Sequence, residues 1–219
     1  IYFDLGANIG WHSIFASRWT GPTGKVWAFE PERDNFALLT RNLRASESSN
    51  YNLIQMALSD EIGEGTLATS RENLGDHILN PHVYGESRNR QKVSMTTLDQ
   101  FVSEKNIVLS KIRYVKIDVQ GSEPRIFRGG SKFFKQTRAI IQVEFEPKGI
   151  AGCGDSIFDV FAFIDKHSYQ PFWLKSEFGR KLDSVLQSLS IADLFSLTQQ
   201  LFENEGVIDL LLVPSEQLP

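Results

Sequence analysis

The sequence lacks most of what would tie it to an oxidising compartment, a bilayer or nucleic acid. Its 219 residues hold a single cysteine, Cys153, so no disulfide can close within the chain and a cytoplasmic location is the expectation. No window approaches the roughly 20 apolar residues that a membrane-spanning helix needs, which argues against a membrane partner. Acidic side chains outnumber basic ones, 27 against 23, so the net charge is −4 and the chain has no general attraction to phosphate backbones. Nucleic acid is therefore not expected as a substrate. Clusters of Cys and His with zinc-ligand spacing are missing as well. What remains is an ordinary globular composition, 41% hydrophobic and 23% charged, long enough for one domain over 1–219 with a sizeable core. The chain opens at Ile1 inside an apolar run without an initiator Met, and a preceding segment is expected.

The order of patterns reads as alternating strands and helices. Ile1 to Leu5 is a short apolar run ended by a glycine turn, and Trp11 to Trp19 follows with Ile14, Phe15 and Trp19 at helical spacing. Gly21-Pro22-Thr23-Gly24 breaks that helix, Val26 to Phe29 forms a second strand, and a helix near Asp34 to Ala45 carries Phe36, Leu39 and Leu43. A third strand is expected at Leu53 to Leu58. Between Ser59 and Thr96 the chain turns polar and irregular, punctuated by Gly63, Gly65, Gly75 and Gly85, which predicts extra strands and loops. The alternation then resumes: a helix near Thr97 to Glu104, a strand at Tyr114 to Val119, a helix near Glu123 to Gly130 and a strand at Ala139 to Phe145. An amphipathic helix at Asp155 to His167, closing strands at Tyr169 to Leu174 and Val207 to Val213, and a leucine-rich helical insert around Leu182 to Phe202 complete the chain. This rhythm specifies an α/β fold, doubly wound around a mostly parallel sheet with helices on both faces.

In such a sheet a ligand binds outside the carboxyl ends of the strands, and the first strand-to-helix turn normally lies there. Asp4-Leu5-Gly6-Ala7-Asn8-Ile9-Gly10 occupies that position. Gly6 permits a sharp turn and close approach of a ligand, Gly10 permits close packing of the following helix, and Glu30 ends the second strand where a carboxylate can take both hydroxyls of a ribose. A dinucleotide would call for G-x-G-x-x-G, whose middle glycine admits a pyrophosphate; here Asn8 fills that place. Asp4 adds negative charge that suits the ammonium of a methionine moiety better than a pyrophosphate. The balance favours S-adenosylmethionine as cofactor over a dinucleotide-dependent oxidoreductase or an idle nucleotide-binding module.

Several segments in order carry a family resemblance: Asp4 to Gly10, Phe29-Glu30-Pro31, Ala57-Leu58-Ser59-Asp60, Thr97-Leu98-Asp99, and Lys116-Ile117-Asp118-Val119-Gln120-Gly121-Ser122-Glu123. From Phe3 to about Glu146 the sequence resembles the FkbM family of methyltransferases. The resemblance implies the seven-stranded, Rossmann-like class I methyltransferase fold and methylation of a hydroxyl on a sugar, polyketide or other natural product. It implies that Asp4, Gly6, Asn8 and Gly10 surround the methionine part of the cofactor, with Glu30 on the ribose and Ser59-Asp60 near the adenine. Gln120 stands where the family often has Glu, and Ser122 where it often has Ala. Nothing in the resemblance covers the insert from about Lys175 to Glu205.

A hydroxyl acceptor must lose a proton, so a nearby carboxylate or imidazole is expected as general base; N-methylation on the same fold is the alternative and would need no strong base. Asp118 ends the central strand at the pocket edge, beside cofactor and acceptor alike, and an unpaired carboxylate there is costly without a role. His77, in the polar stretch Asn73 to His77, is the second candidate base. Gln142, Glu144 and Glu146 alternate on one face of the next strand, and Glu144 and Glu146 are expected to line the acceptor site with Gln120 and Glu123. A helix-dipole role explains Glu123 equally well. His12 is expected on the first helix, and His82 and His167 at the surface. Asp118-Val119-Gln120 lacks the Asp-Asn pair of metal-dependent catechol-type enzymes, so no metal is expected. The leucine-rich insert reads as packing on the sheet, or else as a lid or homodimer surface.

Overall fold

The computed structural model describes residues 1–70, 73, 75–80, 89–175 and 186–218. Alternation of apolar residues produces the first half: β1 (Tyr2–Leu5), α1 (Trp11–Trp19), β2 (Val26–Phe29), α2 (Arg33–Ala45) and β3 (Tyr51–Ile54). The expected third strand over Leu53 to Leu58 divides at Gln55-Met56, and its second part becomes β4 (Ala57–Leu58) in a separate sheet. That sheet, ordered β4-β7-β5-β6, adds β5 (Gly63–Thr69), β6 (Ile78–Leu79) and β7 (Asn89–Thr96), so the polar stretch after Ser59 does supply added strands. The chain returns through α3 (Leu98–Glu104), capped by the Thr97 side chain on Gln100 N–H, to β8 (Tyr114–Ile117). Then come α4 (Glu123–Gly129), α5 (Ser131–Thr137), β9 (Ile140–Phe145), α6 (Pro147–Gly152), α7 (Ile157–Lys166), β10 (Tyr169–Leu174), β11 (Leu186–Ser188), α8 (Ile191–Asn204) and β12 (Ile208–Pro214).

Among the described residues the main sheet has eight strands, in the order β11-β10-β12-β9-β8-β1-β2-β3, not the expected seven. β3, β2, β1, β8 and β9 are parallel, β12 is antiparallel to both β9 and β10, and β11 is antiparallel to β10. The eighth strand comes from the segment expected to be helical. Leu186 to Ser188 pairs with Phe172 to Leu174 as an edge strand, and the helix starts only at Ile191, where Ser190 and Asp193 form a capping box. Leu182 and Val185 of the expected insert lie outside the described residues.

The two faces of the sheet differ in chemistry. Phe3 and Leu5 of β1, Phe29 of β2, Val115 and Ile117 of β8, and Val143 of β9 point into the large apolar core with Phe133, Phe134 and Phe163 from the helices. Ala28, between Trp27 and Phe29, points the other way, to Ala7, Leu39 and Leu43 beneath α1 and α2. On that second face neighbouring strands carry Asp4, Lys116 and Gln142 in adjacent register.

Two connections shape the cleft. At Gly6, with φ +80°, a Cβ would fall 1.8 Å from the backbone carbonyl oxygen of Asp118; the glycine is needed for contact between strand ends. Gly10, with φ +93°, faces Leu39 of α2 instead, so its small size brings α1 against a helix and not against the strand. In the β8–α4 connection, Glu123 Oε1 accepts from the amides of Val119 and Gly121 at 3.2 and 3.3 Å.

Gly21, at φ +67°, has open space around its Cβ position and serves as a control for Gly6. Gly6→Ala is expected to cost more than the roughly 1–3 kcal/mol of backbone strain alone, and Gly21→Ala no more than that, in urea unfolding; equal losses would contradict the contact. A second outcome concerns pH. Burial lifts the Glu123 carboxyl from 4.5 to about 7, so the folded value exceeds the unfolded one. The resulting stabilisation is complete below about 4.5 and is lost as pH rises through about 7. The melting temperature should fall across that window, and Glu123→Gln should flatten the fall; an unchanged slope would remove Glu123 as its source.

Candidate functional site

A cavity of about 330 Å³ opens where strand order reverses between β1 and β8. This is the crevice that a doubly wound sheet offers to ligands. Gly6 and Asn8 form one side, Glu30 and Pro31 the next, and Met56 to Leu58 the floor where the third strand breaks. Leu67 and Leu79 of the second sheet, with Asn73, Gly75 and His77, close it from outside. Asp118, Gln120 and Glu144 complete the far wall.

Glu30 is buried, and each of its oxygens already accepts a backbone amide, Asn8 N–H at 2.8 Å and Glu32 N–H at 2.9 Å. Burial raises its carboxyl to about 7 against the pull of those two amides. Asn8 adopts φ +50°, which turns its amide towards Glu30, and its side-chain Oδ1 is buried without a hydrogen-bond partner among the described residues.

On the far wall, Gln120, at φ +54°, donates from Nε2 to Asp118 Oδ1 at 3.0 Å and to Glu144 Oε2 at 2.6 Å. Lys116 Nζ donates to Asp118 Oδ2 at 2.8 Å. Burial alone would push the Asp118 carboxyl up, but the Lys116 ammonium and the hydrogen bonds it receives hold it below the usual carboxylate range. Glu144 goes the other way: burial, then the charges of Asp118 and Glu123, lift it to about 9. At neutral pH the wall presents one carboxylate and one carboxylic acid.

His77 also faces the cavity, with Nδ1 accepting from Ser70 N–H at 3.2 Å. That bond assigns the proton of the neutral ring to Nε2, which makes the free side of the imidazole a donor.

Other expected site residues stand off the cavity wall. Asp4 is buried beneath it, with Oδ2 accepting from Ser13 Oγ at 2.5 Å, and burial raises its carboxyl. Ala7 packs with Ala28 and Leu39, and Gly10 begins α1. Ser59 donates to Asp60, and Asp60 is held low, against its burial, by the Arg128 guanidinium at 2.8 Å. Glu123 supports the loop from within, and Glu146 sits at the N-cap of α6. His12 lies on α1, and His167 lies against Phe163 at 4.7 Å. The sequence reading assigned no role to Lys116, although Lys116 and Asp118 two apart on a central strand share one face. Among the described residues no cluster of three His, Cys, Asp or Glu is arranged for a metal, and no helix is long and apolar enough to cross a membrane.

The profile of the Methyltransferase FkbM domain matches residues 4–171. Methyltransferase sdnD from Sordaria araneosa is 28% identical over 174 residues, which cover 67% of this chain and 67% of that protein. The crystal structure of Methyltransferase FkbM from Methylobacillus flagellatus KT aligns at a TM-score of 0.55 and 14% identity, over 96% of this chain and 42% of the other. The chain thus spans less than half of that relative, and the likeness speaks for the fold. The profile match takes in the turn after β1, Glu30, the floor of the cavity and the carboxyl pair together, and on it the chain belongs to the FkbM methyltransferase domain family.

Proposed function

We propose that the chain is an S-adenosylmethionine-dependent methyltransferase that methylates a hydroxyl of a small molecule, a sugar, polyketide or other natural product, with Asp118 as general base. The observation that carries the reading is a single cavity with Glu30 at one end and the Asp118–Glu144 pair at the other, with no Lys or Arg among its described lining residues. Such a wall suits a cationic ligand and offers nothing to a pyrophosphate. The residues fit the cofactor: Glu30 keeps free lone pairs for ribose hydroxyls, and the unpartnered Asn8 Oδ1 is an acceptor for an ammonium. When bound, the cofactor supplies a methyl group on a sulfonium.

The chain itself positions the acceptor and receives its proton. Asp118 is ionised and on the wall, so it can take the hydroxyl proton as the oxygen reacts. The His77 ring, protonated at Nε2, suits hydrogen bonding to the acceptor better than proton removal. Glu144, carrying its proton, can donate to an acceptor oxygen. The Lys116 ammonium neutralises Asp118 from the chain itself, and the reaction is proposed to need no metal.

Titration calorimetry should show S-adenosylhomocysteine binding and no NAD binding, with Glu30→Ala weakening the former at least about tenfold; binding of NAD alone would overturn the cofactor reading. Methyl-labelled cofactor, incubated with enzyme and a small-molecule extract of the producing cells, should give an O-methylated product by mass spectrometry. A methyl group on nitrogen would refute the acceptor class. Asp118→Asn should slow that turnover roughly 10²–10⁴-fold, and EDTA should leave it unchanged.

A further inference from the structure

Lys116 lies in the middle of β8 with its side chain only 5% exposed, flanked in register by Asp4 on β1 and Gln142 on β9. A buried ammonium is costly unless it is paired, and among the described residues its one partner in hydrogen-bonding range is Asp118. Among the described residues, the titratable groups around the carboxyl pair are Asp4 from β1, His12 from α1, Glu123 from α4 and Asp209 from β12, opposite Glu144, with His77 across the cavity. Burial, and after it Lys116, lower the His12 imidazole below its ordinary value, against the pull of Asp4, Asp118 and Asp209. Lys116 is therefore the fixed positive charge of this group, and it contacts one carboxyl and not the other. Gln120, bonded to both, holds the two side chains in place without distinguishing them.

We propose that Lys116 is a positioning residue that assigns the proton within the carboxyl pair, fixing the charge on Asp118 and leaving the proton on Glu144. The proposal rests on the reading of Asp118 as the base: without Lys116, two carboxyls bridged by one amide would share a proton with neither favoured, and the base would be blocked part of the time.

Two measurements test it. Infrared titration of the unliganded protein reads the pair without turnover. Between about 7, where Glu30 and Glu123 ionise, and about 9, a protonated-carboxyl band should remain that is lost in Glu144→Gln, and Asp4→Asn identifies the band of Asp4, whose carboxyl burial also raises. A spectrum unchanged by Glu144→Gln would show that Glu144 holds no proton and overturn the proposal. In turnover, Lys116→Met should move the acid limb of the pH–rate profile up by about one unit or more, a tenfold loss below it, while S-adenosylhomocysteine affinity stays within about threefold. Lys116→Arg should restore the limb, and an unmoved limb in Lys116→Met would refute the assignment. Should Lys116→Met fail to fold, Lys116→Gln takes its place in the pH–rate profile, and an unmoved acid limb there refutes the assignment. Full turnover in Asp118→Asn would instead remove the base reading, leaving the infrared assignment of the proton intact.

Discussion

The backbone carbonyl of Asp118 lies where a side chain on residue 6 would have to stand, and the rest of the site follows from that contact. With the ends of β1 and β8 pressed together, the two chains must leave in opposite directions. Gly6 and Ala7 turn towards β2, their amides donating to Phe29 O, and residues 119–121 turn towards β9 and α6. The space between is the cavity. On each side a non-glycine residue takes a left-handed conformation, Asn8 at φ +50° and Gln120 at φ +54°, and each puts its side chain on the cavity wall. Such backbone costs about 1–3 kcal/mol per residue and persists where surrounding structure imposes it.

The imposing structure is the apolar face of the sheet. Phe3, Phe29, Phe133 and Phe134 are fully or almost fully buried there, so β1, β2 and β8 cannot shift to relieve the turns. That leaves the opposite face free of packing duty near the cleft. Asp4, Lys116, Gln142 and Glu144 occupy it as a polar row, in which loss of Lys116 would leave Asp118 without its ammonium and buried Asp4 without its neighbouring positive charge. Rigidity on one face is what permits a reactive arrangement of charge on the other.

Much of this was legible in the chain because strand and helix periods are local. β1 through α2, β8, β9 and the glycine turn fell where alternation and turn residues put them. Other features were not, the short helices α5 and α6 among them. The break at Gln55-Met56 has no turn signal, since it is set by β4 leaving to pair with β7. Leu186 to Ser188 has the leucine content of a helix, and only its pairing with β10 makes it an edge strand. The role of Gly10 was misread because Leu39, which it faces, is 29 residues away in sequence and adjacent only in the fold. In the site, Asp118, Glu144 and Glu30 stood out as acids at strand ends. Lys116 did not, since a lysine in an alternating strand reads as a solvent-facing residue until β1 and β9 enclose it.

The cavity's inner and outer walls are built on different terms. The inner wall consists of main-chain turns whose geometry the core dictates, and a change there disturbs the sheet. The outer wall belongs to the second sheet, anchored by polar contacts: Arg125 donates to Leu79 O at 3.2 Å, to Cys153 O and to Asp155, and Arg128 joins Asp60, Asp155 and Asp159. Arg125 and Asp155 are largely shielded from solvent, at 13% and 8% exposure, so this anchor is directional and strong, whereas the Arg128 side chain, at 40%, contributes less. Between the anchors, the described residues Asn73, Gly75 and His77 face the cavity from outside the strands of either sheet. Under the proposed function, the end of the cavity that holds the cofactor is therefore bound to the fold. On the acceptor side, the face formed by Asn73, Gly75 and His77 can change its side chains at less cost to stability than the Asp118–Glu144 wall, and selection for a new acceptor would act there first.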